Sequence, residues 1–352
     1  MRDIGREHAD KELEIIERRV HKIFTDCGKS LKRDIEQYFA RFAERDAEMQ
    51  AALAAGTYPV PAGMTAEEYY RQWRLNQYLR GQHLITLQDK CAAAVANAHE
   101  IAIEYTNDRI ATIYASNRNF TAFTMDLLSR GKYSAGTDFE LWDEATVRRL
   151  IKNQELNLMP RYPQRLALKR GIDLSWTKKQ ITAQITQSII QGHDISTMRK
   201  ALQSRIVTMS DTSARRAART AVTAAENAGR LDTMAKAQEL GIKYRKRWVC
   251  TKDKRTRYSH QRLDGKVVNA DELFKSPLGG YLSAPGDNRH GAKPADLYNC
   301  RCRVVAVEKA GIEPEKRQMR VRNPATGRSE IITANNYDDW LDWVKQQERA
   351  RT

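Results

Sequence analysis

Between Leu13 and Phe42 the residues Ile16, Val20, Ile23, Cys27, Leu31, Ile35, Phe39 and Phe42 recur at every third or fourth position. That period lays them along one stripe of an α-helix, or of two helices in line. Gly28 is the expected interruption, with Ser30 available to cap a fresh start. The segment AAGTYPVPAGM then brings two prolines and two glycines, and TAEE at Thr65 to Glu68 has the form of a capping box opening the next helix. Beyond it Leu84, Leu87, Cys91, Val95, Ala98, Ile101 and Tyr105 keep the same step, which predicts one or two long helices over residues 66–117. The dense alanine of CAAAVANAHEIA allows close helix approach. Long helices in an elongated hairpin or small bundle are therefore expected over residues 1–128. His83 and His99 lie within them, and a lone histidine on a helix has mostly a structural or surface role.

The pattern breaks over residues 129–174. SRGKYSAGTDFE reads as a loop, DEATVRRLIKNQ as a short helix and NLMPRYPQRLALKRGIDLSW as a linker with two prolines. From Ser175 helical spacing returns, with Ile181, Ile185 and Ile189 on one face and a stop at Gly192. DISTMRKALQSRI predicts a second helix capped near Asp194 or Ser196, and a third runs from about Asp211 to Leu240, ended by Gly241. After Gly241 the period changes to two. Ile242, Tyr244, Trp248 and Cys250 share one side of a strand, interrupted by Lys246, while Lys243, Arg245 and Arg247 take the other. LDGKVV carries an Asp-Gly hairpin signal at Asp264 and Gly265, and CRCRVVAVE reads as a further short strand. The predicted class is α+β: an N-terminal helical hairpin or bundle, then a three-helix lead-in to a small, loop-rich antiparallel sheet over 175–310. A charged tail with a terminal helix at NNYDDWLDWVKQQER is expected over 311–352.

Composition sharpens this picture in two ways. A chain of 352 residues, 41% hydrophobic and 30% charged, is long enough for two or three compact units. Its N-terminus MRDIGREHADKELEIIERRV has neither the apolar run of a signal peptide nor that of a spanning helix, so no membrane partner is expected. The net charge of +16 is also localised: residues 1–50 are nearly balanced, whereas 148–179 and 243–266 carry nine basic to two acidic and ten basic to two acidic side chains. Such patches suit a polyanion or an acidic protein surface, and the plainer alternative is a solvated basic face. Lys243, Arg245, Arg247, Lys252, Lys254 and Arg262, with Tyr244, Trp248 and Tyr258 among them, are the candidate nucleic-acid contacts. With no base-reading motif in the chain, any such contact would be independent of DNA sequence.

Five cysteines do not make a disulfide framework in a reducing setting. Cys250, His260, His290, Cys300 and Cys302 offer ligands of which four could surround a structural zinc ion; buried thiols beside hydrogen-bonded histidines are the alternative. His260 could also act as a general base oriented by Asp253 or Asp264, as in a metal-dependent nuclease or toxin. Those acids have duller uses, however, Asp264 in a turn and Asp253 beside Arg255 and Arg257. Arg301 and Arg303 could activate Cys300 or Cys302, but no acid–base partner is placed for the thiol. No catalytic residue is predicted.

One order of motifs is distinctive. Ala218-Arg219-Thr220 in a helix, Trp248 closing a strand, Asp253-x-Arg255-Thr256-Arg257-x-x-His260, Leu263-Asp264-Gly265 and Asn299-Cys300-Arg301-Cys302 follow one another here. With SWTKKQITAQITQSIIQGHDISTMRKAL upstream, this half of the chain resembles the Mu F-like phage head morphogenesis proteins, also called minor head or minor capsid proteins. The resemblance implies a low-copy component of a tailed-phage head, made in the host cytoplasm and associated with the portal, with capsid or scaffold components and with packaged double-stranded DNA. It implies structural roles for Arg219, Trp248, Asp253, Arg255, Thr256, Arg257, His260, Asp264, Gly265 and Asn299, bracing one turn. Some relatives carry Cys-x-x-Cys where this chain has Arg257 to His260, and His-Pro where it has Leu297-Tyr298. A zinc site would therefore need His260 and His290 as stand-ins.

Overall fold

The computed structural model describes residues 3–129, 142–152, 174–251, 255–287, 289–307, 317–322, 326, 328–334, 342–343, 345–347 and 349. Asp253, Lys252 and Lys254 lie outside the described residues, as do most of the predicted 129–174 linker and much of the tail.

Helix α1 runs unbroken over Ile4–Ala54. Gly28 does not interrupt it: a methyl group there would sit 2.2 Å from Val207 Cγ2, so the glycine serves close packing. Ser30 is not a cap either, since its hydroxyl donates to the Cys27 carbonyl at 2.8 Å. Helix α2 (Ala66–Tyr78) opens on the expected capping box, with Glu68 N donating to Thr65 Oγ1 at 3.2 Å and Thr65 N donating to Glu68 Oε2 at 2.8 Å. Past Gly81, at φ 89°, α3 covers Gln82–Ser129, and α4 covers Glu144–Lys152. Helix α5 (Leu174–Ile190) stops at Gly192, where Gly192 N reaches Ile189 O and His193 N reaches Ser188 O.

The second and third helices of the expected lead-in are one, α6 (Ile195–Glu239). Asp194 caps it by accepting from Thr197 N at 2.6 Å. Asp211 starts no new helix; its carboxylate is taken by Arg215 at 2.6 Å and His21 at 3.2 Å.

The chain forms two compact units, one from Met1–Ile16, Thr106–Gln164 and Arg216–Thr352, the other from Glu17–Tyr105 and Arg165–Arg215. The core of the all-helical unit joins the apolar stripes of the sequence pattern: Leu31, Ile35 and Phe39 from α1, Leu84, Leu87, Cys91 and Val95 from α3, Ile181, Ile185 and Ile189 from α5, and Met198, Leu202 and Ile206 from α6. His99, 4% exposed, packs edge-on against Phe24 with ring centroids 4.7 Å apart.

The other unit carries strands β1 (Arg245–Val249), β2 (Val267–Asn269), β3 (Phe274–Lys275), β4 (Tyr281–Leu282) and β5 (Arg303–Val307) with short helices α7 (Tyr258–Gln261) and α8 (Pro294–Leu297). One antiparallel sheet has the order β2-β1-β5, pairing Arg247 with Val267 and with Val305, and Trp248 with Val304. Trp248, Leu263, Phe274, Leu282 and Val304 fill its core against Met125 of α3 and Met234 of α6. After Pro314 the described residues are not merely a charged appendage: β6 (Arg317–Arg322) and β7 (Ser329–Ala334) pair antiparallel. Within the predicted terminal helix, the described residues 342–343, 345–347 and 349 are helical. No helix among the described residues is long and apolar enough to cross a membrane.

Candidate metal centre

Three segments distant in sequence meet beside Trp248. Cys250 follows β1, His260 sits on α7, and Cys300 and Cys302 lead into β5. The Cys300 and Cys302 sulfurs lie 3.5 and 3.4 Å from His260 Nδ1, and the Cys302 and Cys250 sulfurs are 3.4 Å apart. All four side chains are buried. The other imidazole nitrogen, Nε2, lies 3.5 Å from Asp296 Oδ1, and Asp296 in turn accepts from Ser259 at 2.8 Å and Ser276 at 2.6 Å. The ring is thus turned with Nδ1 toward sulfur and Nε2 toward a carboxylate.

Hydrogen bonds couple the groups of this cluster. Hydrogen bonds from Cys250 and Cys300, then the neighbouring imidazole, hold the Cys302 thiol well below the ordinary thiol range. By the same hydrogen bonds, with burial added, Cys250 and Cys300 are pushed up. Burial works to lower His260, but the hydrogen bonds with Asp296 and Cys302 overcome it and raise the imidazole to about 9.

Local structure explains how the segments are held. Helix α6 presents Thr220, Thr223 and Asn227 at helical spacing, all buried. Thr220 Oγ1 accepts from Asn299 N at 2.9 Å, Thr223 Oγ1 donates to Cys300 O at 2.5 Å, and Asn227 donates to Cys302 O at 3.1 Å while accepting from Val304 N at 2.8 Å. Asn299 takes a left-handed φ of 56° to turn the chain, and Arg219 donates to its side-chain oxygen at 3.3 Å. Asp264 belongs not to a tight two-residue hairpin but to the turn that follows α7, since residues 250–266 intervene between β1 and β2. It accepts from Cys250 N at 2.9 Å, while Gly265, at φ 75°, lets the chain turn into β2. Arg257 donates to Tyr298 O and Thr256 to Thr251 O. Arg255 is exposed.

His290 stands apart from this cluster, 39% exposed and 3.5 Å from Asp287. The bracing of His260 comes from Asp296, which spacing alone did not single out; nothing in KPADLY ties that acid to a histidine 36 positions earlier. The polar stripe Thr220, Thr223, Asn227 in an alanine-rich helix was a readable signal for a buried polar contact. On β1 the alternation places Arg247 in solvent with Arg245 half-buried; Lys243, just before the strand, and Arg262 are exposed. Lys246 points the other way, 3% exposed, with its ammonium 6.0 Å from the Phe274 ring.

Residues 179–305 match the family of Phage Mu protein F like proteins. Over 351 residues, 98% of both chains, the sequence is 25% identical to minor head protein GP7 of Bacillus phage SPP1. It is also 42% identical over 113 residues to the NAD(+)–arginine ADP-ribosyltransferase EFV of Enterococcus faecalis, a match covering 32% of this chain and 21% of that enzyme. No solved structure matches the chain. The helix carrying Arg219 and Thr220, the His260 turn and the Asn299-to-Cys302 segment all fall inside the range that is similar to the Phage Mu protein F like family.

Proposed function

We propose that the chain is a minor structural protein of a tailed-phage head, acting in head assembly near the portal, with the basic face of β1 turned toward packaged DNA. The observation that carries the reading is the match along 98% of both chains to a minor head protein, which extends well beyond the Mu F-like range. The basic residues add a physical reason for DNA: Lys243, two positions before β1, and Arg247 on it are both exposed, and such side chains meet phosphates without reading bases.

A catalytic reading has less support. The shared segment is about a fifth of the ADP-ribosyltransferase. His260, 2% exposed and enclosed by two sulfurs and Asp296, offers no face on which a substrate proton could be taken.

Quantitative mass spectrometry of purified particles tests the structural reading. Peptides of this chain are expected in constant, low ratio to those of the major capsid protein, and in assembly intermediates that contain portal. Absence from both particles and intermediates would overturn it.

A further inference from the structure

We infer that Cys250, His260, Cys300 and Cys302 bind one structural zinc ion, with Asp296 orienting the histidine. The donor set is chemically apt, since three sulfurs and one imidazole nitrogen form a closed tetrahedral combination for Zn²⁺. The spacing fits as well. Zinc–sulfur bonds of about 2.3 Å and zinc–nitrogen bonds of about 2.0 Å put tetrahedral ligand atoms about 3.5–3.8 Å apart. The sulfur–nitrogen separations here are 3.5 and 3.4 Å, so His260, Cys300 and Cys302 already stand close enough to share one ion. The Cys250 sulfur is 3.4 Å from that of Cys302 but farther from the rest of the set, and it closes the tetrahedron by leaving the His260 carbonyl, to which its thiol donates at 2.9 Å.

Two buried polar groups point the same way. His260 Nε2 has no closer acceptor than Asp296 at 3.5 Å, the arrangement in which a metal-bound imidazole donates its remaining N–H to a carboxylate. The Trp248 indole N–H is buried without an oxygen acceptor and lies against the Cys250 sulfur, where a thiolate would receive it. Cys302 N–H already donates to the Cys300 sulfur at 3.3 Å. Four protein ligands leave no open position, and every ligand is buried, so the ion would be structural rather than catalytic. It would tie the end of β1, α7 and the approach to β5 at one point, in a unit whose sheet strands are at most six residues long.

Thiolates and a neutral imidazole are the forms that bind a metal, so affinity falls with acidity.

The test uses the full-length chain purified without chelator and dialysed against metal-free buffer. Elemental analysis is expected to find one zinc per chain, released by a mercurial thiol reagent, and Co²⁺ substitution is expected to give the intense sulfur-to-metal and d–d bands of a tetrahedral thiolate site. Cys302→Ser should abolish both. Because that variant could also fail to fold, Asp296→Asn provides the second arm: all four ligands stay, and zinc affinity measured by chelator competition should fall about 10–100-fold. His290→Ala and Cys91→Ser should each keep full stoichiometry. A wild-type chain that neither carries zinc nor gives the tetrahedral Co²⁺ spectrum overturns the inference. So does full retention of the metal in folded Cys302→Ser. Neither result bears on whether the chain is found in phage heads.

Discussion

A histidine sealed in a helical core behaves as a hydrophobic ring until acid forces a charge onto it. His99 packs against Phe24, and burial lowers its pKa to about 4 from an ordinary 6.5. The folded state therefore resists a proton that the unfolded chain accepts. Stability from this group is fully present above pH 6.5, is lost as pH falls from 6.5 toward 4, and levels off below that. The shift corresponds to a loss on the order of 3 kcal/mol. Urea denaturation across this range should show a midpoint that falls with acidity in the native chain and falls less in His99→Leu. Equal slopes in the two proteins would show that other groups carry the acid sensitivity. Elsewhere the ionic residues are paired in depth. Glu226, fully buried, meets Arg6 at 2.8 Å and Arg230 at 3.3 Å, and Arg230 reaches Asp3 at 2.8 Å. Glu226→Ala takes one carboxylate from both guanidinium groups, leaving Arg6 with Asp10 and Arg230 with Asp3, and should cost about 1–3 kcal/mol in chemical denaturation, whereas an exposed carboxylate removed from α1, such as Asp26, should change little.

At the scale of helices, two glycines decide how closely backbones approach. Alanine is better in a helix interior than glycine by about 1 kcal/mol, so propensity alone predicts that Gly→Ala stabilises α1 and α6. Packing predicts the reverse. At Gly229 a new methyl would fall 2.5 Å from the Tyr114 carbonyl oxygen and 3.1 Å from Arg118 N, both backbone atoms of α3. Helices must separate to admit it, and Gly229→Ala should lose about 1–3 kcal/mol net. Gly28 meets a side chain, Val207 Cγ2 at 2.2 Å, and a helical valine has essentially one χ1 rotamer with which to yield. Gly28→Ala should therefore destabilise, and adding Val207→Ala should restore most of the loss, a coupling readable in a double-mutant cycle. Additive effects would mean the two residues do not touch.

These glycines also mark where pattern reading stopped. Spacing identified the stripes Ile16 to Phe42, Leu84 to Ala98 and Ile181 to Ile189, because each buried face repeats with the helix, but it carried the second too far: Ile101 is exposed and Ala102 is buried in its place. It also identified the β1 alternation, the Thr65 box and the Gly192 and Gly241 stops, all of which are local chemistry. Gly28 looked like a break because its reason, Val207, lies 179 positions away in sequence. The helix start expected near Asp211 is no break, because that carboxylate serves an ion pair whose partner, His21, is as remote. For the cysteine and histidine cluster, spacing supplied the ligand types but not the partition, taking in His290 and leaving out Asp296.

For the whole molecule the question is what an excess of +16 does. Charge of this size raises encounter rates with any polyanion, yet only side chains that reach solvent can displace counterions from DNA. Lys246 is excluded by its burial and Arg303 is engaged with Asp3 at 3.0 Å, whereas Arg247 on β1 and Lys243 just before it are exposed. If that face meets duplex DNA, binding of the intact chain should weaken linearly on a plot of log affinity against log salt. Each phosphate contact contributes about 0.9 to the slope. Lys243→Gln with Arg247→Gln should then make the slope shallower by about 1.8 and weaken binding similarly for unrelated DNA sequences. Both side chains stand in water and neither lies in the core, so thermal stability should stay within about 0.5 kcal/mol of the parent. An unchanged slope with intact folding would move the DNA contact away from β1. An unchanged slope joined to weaker binding of purified portal would instead identify this basic face as a protein-docking surface, because an acidic partner selects the same charges without releasing the counterions of a duplex.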